Sequence, residues 1–520
     1  MRHKVLLVSV YVALVVVVCG CEPGFFAAVC YLYSTQSGDT ESPRAESPHP
    51  LQITTATLPD ATEGVAYSYT LSASGGNSSN YNWSISGQLL WLFINSATGE
   101  LSGTPPAGSA GTYTFTVTVT DGVQTASEQF DLVVNPAGVA TGDWYVDAVN
   151  GSDYNSGTSW NDAFKTIAHA LDVARDGDTI VVADGTYYEH DLDFQGKKIH
   201  LKSANGAANC IVDCQQLGRA FHFHSGETAD SILEGFTIRN GKVSDICGGA
   251  ILCVNNSCPT ITNCVFENNK AVDTNGQYEY EDGGAIYCAE SSPRIYECRF
   301  ISNSVTGGFG CGGAIYCGSS SKPILRGCVF SGNSAGSGGA VGWVSTSSGI
   351  TNCAFSGNSA KWYGGALFCS GRGSPILSNC TFSGNSAGKY GGAICCWSST
   401  TATLNNCIMW GDSVSGNASE IYIYDSSASC TLDHCCVDDT GYGGQTGNIT
   451  ENNCIHQNPQ FVDPANGDYH LKDTSPCIDA GDNSLVPSNV DRDLDGNQRI
   501  VDGDNDGTAT VDIGAYEYQP

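Results

Sequence analysis

The string Gly-Gly-Ala followed by an apolar residue begins at positions 248, 283, 312, 338, 364 and 391, in steps of 35, 29, 26, 26 and 27 residues. A chain that repeats at this spacing is built from stacked units, each burying its apolar face against its neighbours. A second signature travels with the first. Cys264/Phe266, Cys298/Phe300, Cys328/Phe330, Cys353/Phe355 and Cys380/Phe382 form Cys-x-Phe pairs, and Cys407/Met409 closes the series. An asparagine follows each Phe three residues on, at Asn269, Asn303, Asn333, Asn358 and Asn385.

A period near 26 is too short for the common helical repeats and suits one coil of a parallel β-helix, stacked at the ~4.8 Å strand spacing. The expected class is all-β. Like residues then form ladders along the axis. One inward ladder runs Cys253, Cys288, Cys317, Trp343, Cys369 and Cys396, and the Cys-x-Phe cysteines form another. Asn263, Glu297, Gly327, Asn352, Asn379 and Asn406 precede the second set. Asn and Gly tolerate the left-handed conformation of a sharp bend. The first Gly of each Gly-Gly pair marks another such corner.

The chain has 25 cysteines, three at positions 19, 21 and 30 and the rest from Cys210 onward. Their periodic spacing makes them small apolar core fillers, mostly reduced or irregularly paired. Zinc-type C-x₂-C knuckles are missing, and no cysteine has a unique partner histidine. With 22 Lys+Arg against 53 Asp+Glu, the net charge of −31 excludes phosphate tracking along nucleic acid and attraction to an anionic membrane surface.

Arg2, His3 and Lys4 precede an apolar run from Val5 to Cys19, the pattern of an export signal. Val18-Cys19-Gly20-Cys21 resembles a bacterial lipobox with Cys21 as the lipidated residue. An ordinary signal peptide or an uncleaved anchor stays open beside it. The expected organisation is a signal over 1–21, a Ser/Pro-rich linker over 22–50, a small β-sandwich over 51–136, a β-helix over 143–453 and an acidic C-terminal cap over 454–520. Localisation is then the cell surface, the outer membrane or the exterior.

Alternation in Tyr113-Thr-Phe-Thr-Val-Thr-Val-Thr120 marks antiparallel strands of an immunoglobulin-like sandwich. Leu58–Tyr67, Ala97–Pro105 and Ala110–Asp121 resemble bacterial cadherin-like Ig modules. That resemblance implies a spacer or adhesive role, with calcium at Asp60, Glu63 and Asp121; ordinary loop carboxylates are the plainer reading. The Gly-Gly-Ala and Phe-x-x-Asn repeats over about 248–410 resemble those of polymorphic outer-membrane proteins, whose arrays act as surface adhesins. Trp144–Glu189 resembles the entry to right-handed, pectin-lyase-like β-helices. Within it Ala163–Ala174 has near-helical apolar spacing, predicting a short helix over the open end of the solenoid. Asn458–Leu471, Ser475–Asp482 and Val511–Glu517 resemble the choice-of-anchor terminal domain of exported β-helix proteins.

Two candidate sites follow. Asp491, Asp493, Asp495, Asn497 and Asp502 have EF-hand-like spacing with Gly496 at the sixth position, and Asp502, Asp504 and Asp506 begin a second run. Calcium binding and an exposed acidic turn both fit. Tyr278, Tyr280, Phe309, Trp362, Tyr363 and Tyr390 precede the glycine pairs, and Tyr287, Tyr316 and Phe368 take the outward position of the next strand. Across successive coils they would form an aromatic strip for stacking on sugar rings, with Glu279, Glu281 and Asp282 at one end. An aromatic stack that merely protects the loops is the competing reading. No catalytic residue is assigned: Asp433-His434 falls at a bend, and paired acids at repeated positions are missing. Adhesion or polysaccharide binding is the expected role. The alternatives are a polysaccharide lyase or glycoside hydrolase, and a purely structural surface element.

Overall fold

The computed structural model describes residues 49–87, 89–106, 109–135, 142–274, 282–318, 320–415 and 420–520. The expected signal, Cys21, and the loop aromatics Tyr278 and Tyr280 lie outside these residues. The described residues fall into two compact units, one before and one after residue 140.

In the first unit Gly111–Thr120 and Thr125–Asn135 form an antiparallel hairpin, in register from Thr120↔Thr125 to Gly111↔Val134. Phe115, Val117 and Val119 alternate inward from one strand, and Phe130, Leu132 and Val134 from the other. The four-stranded sheet that contains this hairpin and a separate three-stranded sheet make up the unit's two main sheets. Their apolar residues, with Trp83, Leu92 and Leu101, form one core. The loop acids act as turn caps. Asp121 accepts backbone N–H groups of Asn77, Val123 and Gln124, Glu63 accepts that of Ala110, and Asp60 accepts the Asn135 side-chain amide.

The second unit is a parallel β-solenoid. Its four sheets hold 12, 10, 10 and 7 strands. The first sheet starts at Asp143–Val146, the second at Gly185–Tyr187, the third at Leu192–Asp193 and the fourth at Lys242–Ser244. Each coil contributes a strand of about three residues to each sheet it enters. The predicted ladders are in register: Cys253 pairs Cys288, Cys288 pairs Cys317, and the row continues through Trp343, Cys369 and Cys396. All six side chains are buried. The Phe ladder stacks face to face, with centroids 4.8, 4.8, 4.7 and 4.5 Å apart from Phe266 to Phe382.

The bends are left-handed where the sequence placed them, with φ of 54° at Asn263, 53° at Glu297, 55° at Asn352 and 50° at Asn406. Gly338 has φ of 60°, and a Cβ there would lie 2.3 Å from the Val341 carbonyl oxygen, so glycine is required. The asparagines are also structural. Asn333 Nδ2 donates to the Phe300 carbonyl and to Asn358 Oδ1 at 2.9 Å each, and the pattern repeats from coil to coil. These buried amides satisfy backbone groups that the corner would otherwise orphan.

Helix α1 spans Ile167–Val173 and buries Ile167, Ala170 and Leu171 in the solenoid core. Thr166 caps it by accepting from His169 N. Glu189 accepts the N–H groups of Ile167 and Ala168 at 2.9 and 2.8 Å, and Lys197 Nζ donates to the Leu171 carbonyl at 2.7 Å. Both charges complement the helix dipole.

The C-terminal segment is no separate lobe. Residues 454–520 belong to the same compact unit and pack along the solenoid's flank. Phe461, Tyr469, Leu471, Cys477 and Ile513 cover the outward Ile408 and Cys436 of the second sheet. The bend asparagines between the first two sheets receive the segment: Asn406 Nδ2 donates to the Asp482 carbonyl, and Asn352 Nδ2 donates to that of Arg492. Among the described residues no helix is long and apolar enough to cross a membrane.

Candidate functional site

In the third-sheet strands from Phe221–Phe223 to Ile421–Ile423, successive residues alternate between the inner and the outer face. Parallel register aligns the outward positions in one row: Asp193, His222, Leu252, Tyr287, Tyr316, Gly342, Phe368, Cys395 and Tyr422. Gly342 interrupts the row because Cys311 folds over it; a Cβ there would lie 2.8 Å from the Cys311 Cβ.

Several of the sequence-predicted aromatics meet on this face. Tyr287 stacks on Tyr316 at 5.2 Å. Tyr363 stacks on Tyr390 at 5.7 Å and on Phe368 at 6.1 Å. Three further rings complete the group. Tyr390 stacks on Tyr422 at 4.2 Å, and Trp397 stacks on Tyr424 at 4.2 Å. Tyr424 is 37% exposed, while Phe368 beneath is buried. The patch therefore has a packed base and an accessible rim.

Phe309 and Trp362 stand apart from this group. Their rings stack at 6.5 Å, and Trp362 Nε1 donates to the Gly308 carbonyl at 2.8 Å. Lys361 Nζ and Lys389 Nζ lie over the Trp362 ring at 4.8 and 4.5 Å. Trp362 is thus engaged by cations of its own chain rather than presented for stacking. Asp282, expected at the acidic end, is buried, with Oδ1 accepting from Cys311 N.

Trp397, Tyr422 and Tyr424 escaped the sequence reading because the glycine signature stops at residue 391. Ile421-Tyr-Ile423 nonetheless keeps the apolar-x-apolar strand pattern, and Glu420 stands where alanine stood: Ala393 and Ile394 N–H groups both donate to its carbonyl.

The other end of the row is polar. His222 and His224 stack at 4.0 Å, and His224 Nε2 lies 3.9 Å from Asp193 Oδ2. His190 Nδ1 contacts Asp191 Oδ2 at 2.9 Å, and Arg219 is buried beside them. Burial, then the neighbouring His224 and Arg219, lower the His222 pKa, so this imidazole is neutral near pH 7.

The acidic C-terminal run does not close as one EF-hand loop. Asp493 turns inward and accepts the N–H groups of Asp495, Asn497 and Glu517. Asp495 contacts His470 Nε2, while Asp491 lies exposed on the flank. Asp506 N–H donates to both Asp502 and Asp504. The carboxylates that converge are Asp502, Asp504 and Asp479, a residue from outside the run, with oxygens within 4.8 Å of one another. Asp479 Oδ1 is buried without a partner. Burial and, more weakly, the charge of Asp504 raise the Asp479 pKa, and a divalent cation would relieve both.

The family model described as "Putative Ig domain" matches residues 49–135, and that of the right-handed beta helix region matches 198–361. A family of unknown function, DUF1565, matches 149–193, and the Chlamydia polymorphic membrane protein repeat matches 379–396. The curated proteins yield no match. Among solved structures, a rhamnogalacturonan lyase is similar at 16% identity and TM-score 0.33, over 62% of this chain and 90% of that one. XylC in complex with xylose is similar at 9% identity and TM-score 0.34, over 72% and 99%. The GH136 lacto-N-biosidase of Eubacterium ramulus is similar at 10% identity and TM-score 0.28, over 60% and 68%. The chain spans 17% of the endo-fucoidan hydrolase of glycoside hydrolase family 107 that it also matches. These likenesses concern fold alone. Sequence, ladders and family models together describe an all-β chain in which an Ig-like sandwich precedes a right-handed parallel β-helix.

Proposed function

We propose that this chain is an exported surface protein that binds polysaccharide along the outer face of the third sheet. One observation carries the reading: Tyr363, Tyr390, Trp397, Tyr422 and Tyr424 come from successive coils and form a single aromatic patch with an exposed rim. Rings at solenoid spacing suit a polymer lying along the axis, since flat apolar sugar faces stack on aromatic side chains. Calcium enters as a stabiliser of the C-terminal segment through Asp479, Asp502 and Asp504. Attachment to the envelope through the N-terminal signal, with Cys21 as the lipidated residue, completes the proposal.

A second reading, a polysaccharide lyase or hydrolase, is favoured by the neutral His222 beside Asp191, Asp193 and Arg219 on the same face. Affinity electrophoresis of the full chain in gels of acidic and neutral polysaccharides separates the two. Retardation that Trp397→Ala/Tyr424→Ala weakens at least tenfold supports binding at the patch. Retardation unchanged in that folded variant sinks it. New polymer ends that vanish in His222→Ala would replace binding by catalysis.

A further inference from the structure

A cleft of about 720 Å³ runs where the C-terminal segment meets the flank of the solenoid. It is formed by the outward residues of the first and second sheets on one side and by residues 489–496 on the other. Arg299, Arg326 and Arg492 line it together. This is unusual placement for a chain with 22 Lys+Arg and a net charge of −31.

Among the described residues none of the three guanidinium groups has a carboxylate within ion-pair distance; the paired arginines are Arg239 and Arg499. Arg326 lies over the Tyr296 ring at 4.7 Å and donates one Nη1 bond to the Asn489 carbonyl. Arg492 donates one Nη1 bond to the Gly496 carbonyl at 3.1 Å. Each keeps most of its five donors free. The acids of the cleft form no ion pair with them. Asp493 is consumed by backbone N–H groups and Asp495 by His470. Glu297 and Asp491 also line the cleft, and neither lies within ion-pair distance of Arg299, Arg326 or Arg492.

A second, independent feature lies in the wall of the same cleft. Asn352 is 4% exposed and lines it, and Asn352 Oδ1 has no hydrogen-bond partner. Its Nδ2 is already committed to the Arg492 carbonyl. A buried carbonyl oxygen without a donor is destabilising. A ligand hydroxyl would satisfy it.

We infer that this cleft binds a uronic acid residue, its carboxylate received by Arg299, Arg326 and Arg492 and a ring hydroxyl donated to Asn352 Oδ1. Planar guanidinium forks match a carboxylate in a way that lysines do not. The hydroxyl requirement separates a sugar acid from a simple anion. The site lies on a different flank from the aromatic patch and does not depend on it.

Titration calorimetry of the full chain with galacturonate, galactose, acetate and sulfate tests this. Galacturonate is expected to bind at least tenfold more tightly than the other three. Arg299→Gln should weaken galacturonate at least tenfold; the Arg299 side chain makes no hydrogen bond or ion pair among the described residues, so the variant keeps its fold. Arg492→Gln should act likewise, whereas Tyr424→Ala should leave galacturonate binding unchanged. Equal affinity for galactose overturns the carboxylate contact, and equal affinity for acetate or sulfate overturns the hydroxyl contact. Unchanged binding in a folded Arg299→Gln chain overturns the site.

Discussion

Asn385 donates both its backbone N–H, at 2.6 Å, and its side-chain Nδ2, at 2.7 Å, to Asp412 Oδ1, so an ionisable carboxyl ends a ladder otherwise built of asparagines. Glu420 lies against it, with Oε1 accepting from Gly411 and Asp412 N–H groups. The remaining oxygens, Asp412 Oδ2 and Glu420 Oε2, are buried without another partner. Two carboxyls so placed hold a proton between them.

This pair makes stability fall as pH rises. Burial, opposed in part by hydrogen bonds, raises Asp412 to about 6; burial and then the charge of Asp412 raise Glu420 to about 10. Folded values above the ordinary carboxylate range mean that the folded state holds protons the unfolded chain releases. The contribution is therefore complete below about pH 4 and is lost progressively as pH rises toward 10. Glu420→Gln keeps the acceptor and supplies a permanent donor to Asp412. Its melting temperature should exceed that of the parent at pH 9 and match it near pH 4. Parallel melting curves from pH 4 to 10 check this; a constant difference across the range would exclude the shared proton.

The aromatic ladder should be the costliest single layer to break. Phe330 is buried between Phe300 and Phe355, at 4.8 and 4.7 Å. Phe330→Ala leaves a cavity in a core fixed by neighbours above and below, at a cost of about 3–5 kcal/mol. Cys353→Ala one coil away removes a single sulfur and should cost clearly less. Denaturant unfolding of both variants checks the order.

The coil was readable in advance because every signal repeats. Gly338, Asn352 and Phe330 each occupy a position that recurs once per turn, so a local requirement appears several times and cannot be mistaken. The sites were less readable because they arise where repetition ends. Tyr422 sits in a strand that has lost the glycine pair before it, and His222 precedes the first pair. Trp362 was visible as an exposed-loop aromatic, but nothing linear placed Lys389 over its ring. Asp479 lies more than twenty residues before Asp502, and only the packing of the C-terminal segment brings them together. The flank position of that segment depends on bend asparagines whose side chains serve tertiary rather than local bonds.

Calcium should stabilise the C-terminal segment through Asp479, Asp502 and Asp504. A ligand that binds only the folded state raises stability by about 2.7 kcal/mol at a hundred times its dissociation constant. Millimolar calcium is expected to raise the melting temperature of the full chain, and a chelator to reverse the rise. Asp479→Asn should abolish the shift, while Asp491→Asn, whose carboxylate points elsewhere, should retain it. A shift of equal size in both variants would place the cation outside this cluster.

The thiols of the ladder should be inert in the folded chain. Cys298, Cys317 and Cys353 are fully buried, and desolvation is the main force pushing their pKa values far above that of a free thiol. Thiolate is the reactive species, so burial suppresses both access and nucleophilicity. Among the described cysteines only Cys247, Cys258 and Cys454 are partly exposed. Brief treatment with iodoacetamide at pH 8, followed by peptide mapping, should label Cys247 and Cys258, label Cys454 more slowly because its contact with Cys435 and its burial raise its pKa, and spare the ladder. After denaturation every described cysteine should take the label, because none is in a disulfide. Labelling of Cys317 or Cys353 in the native chain would mean that the coils open on the timescale of the reaction, and that the ladder is a weaker core than its packing indicates.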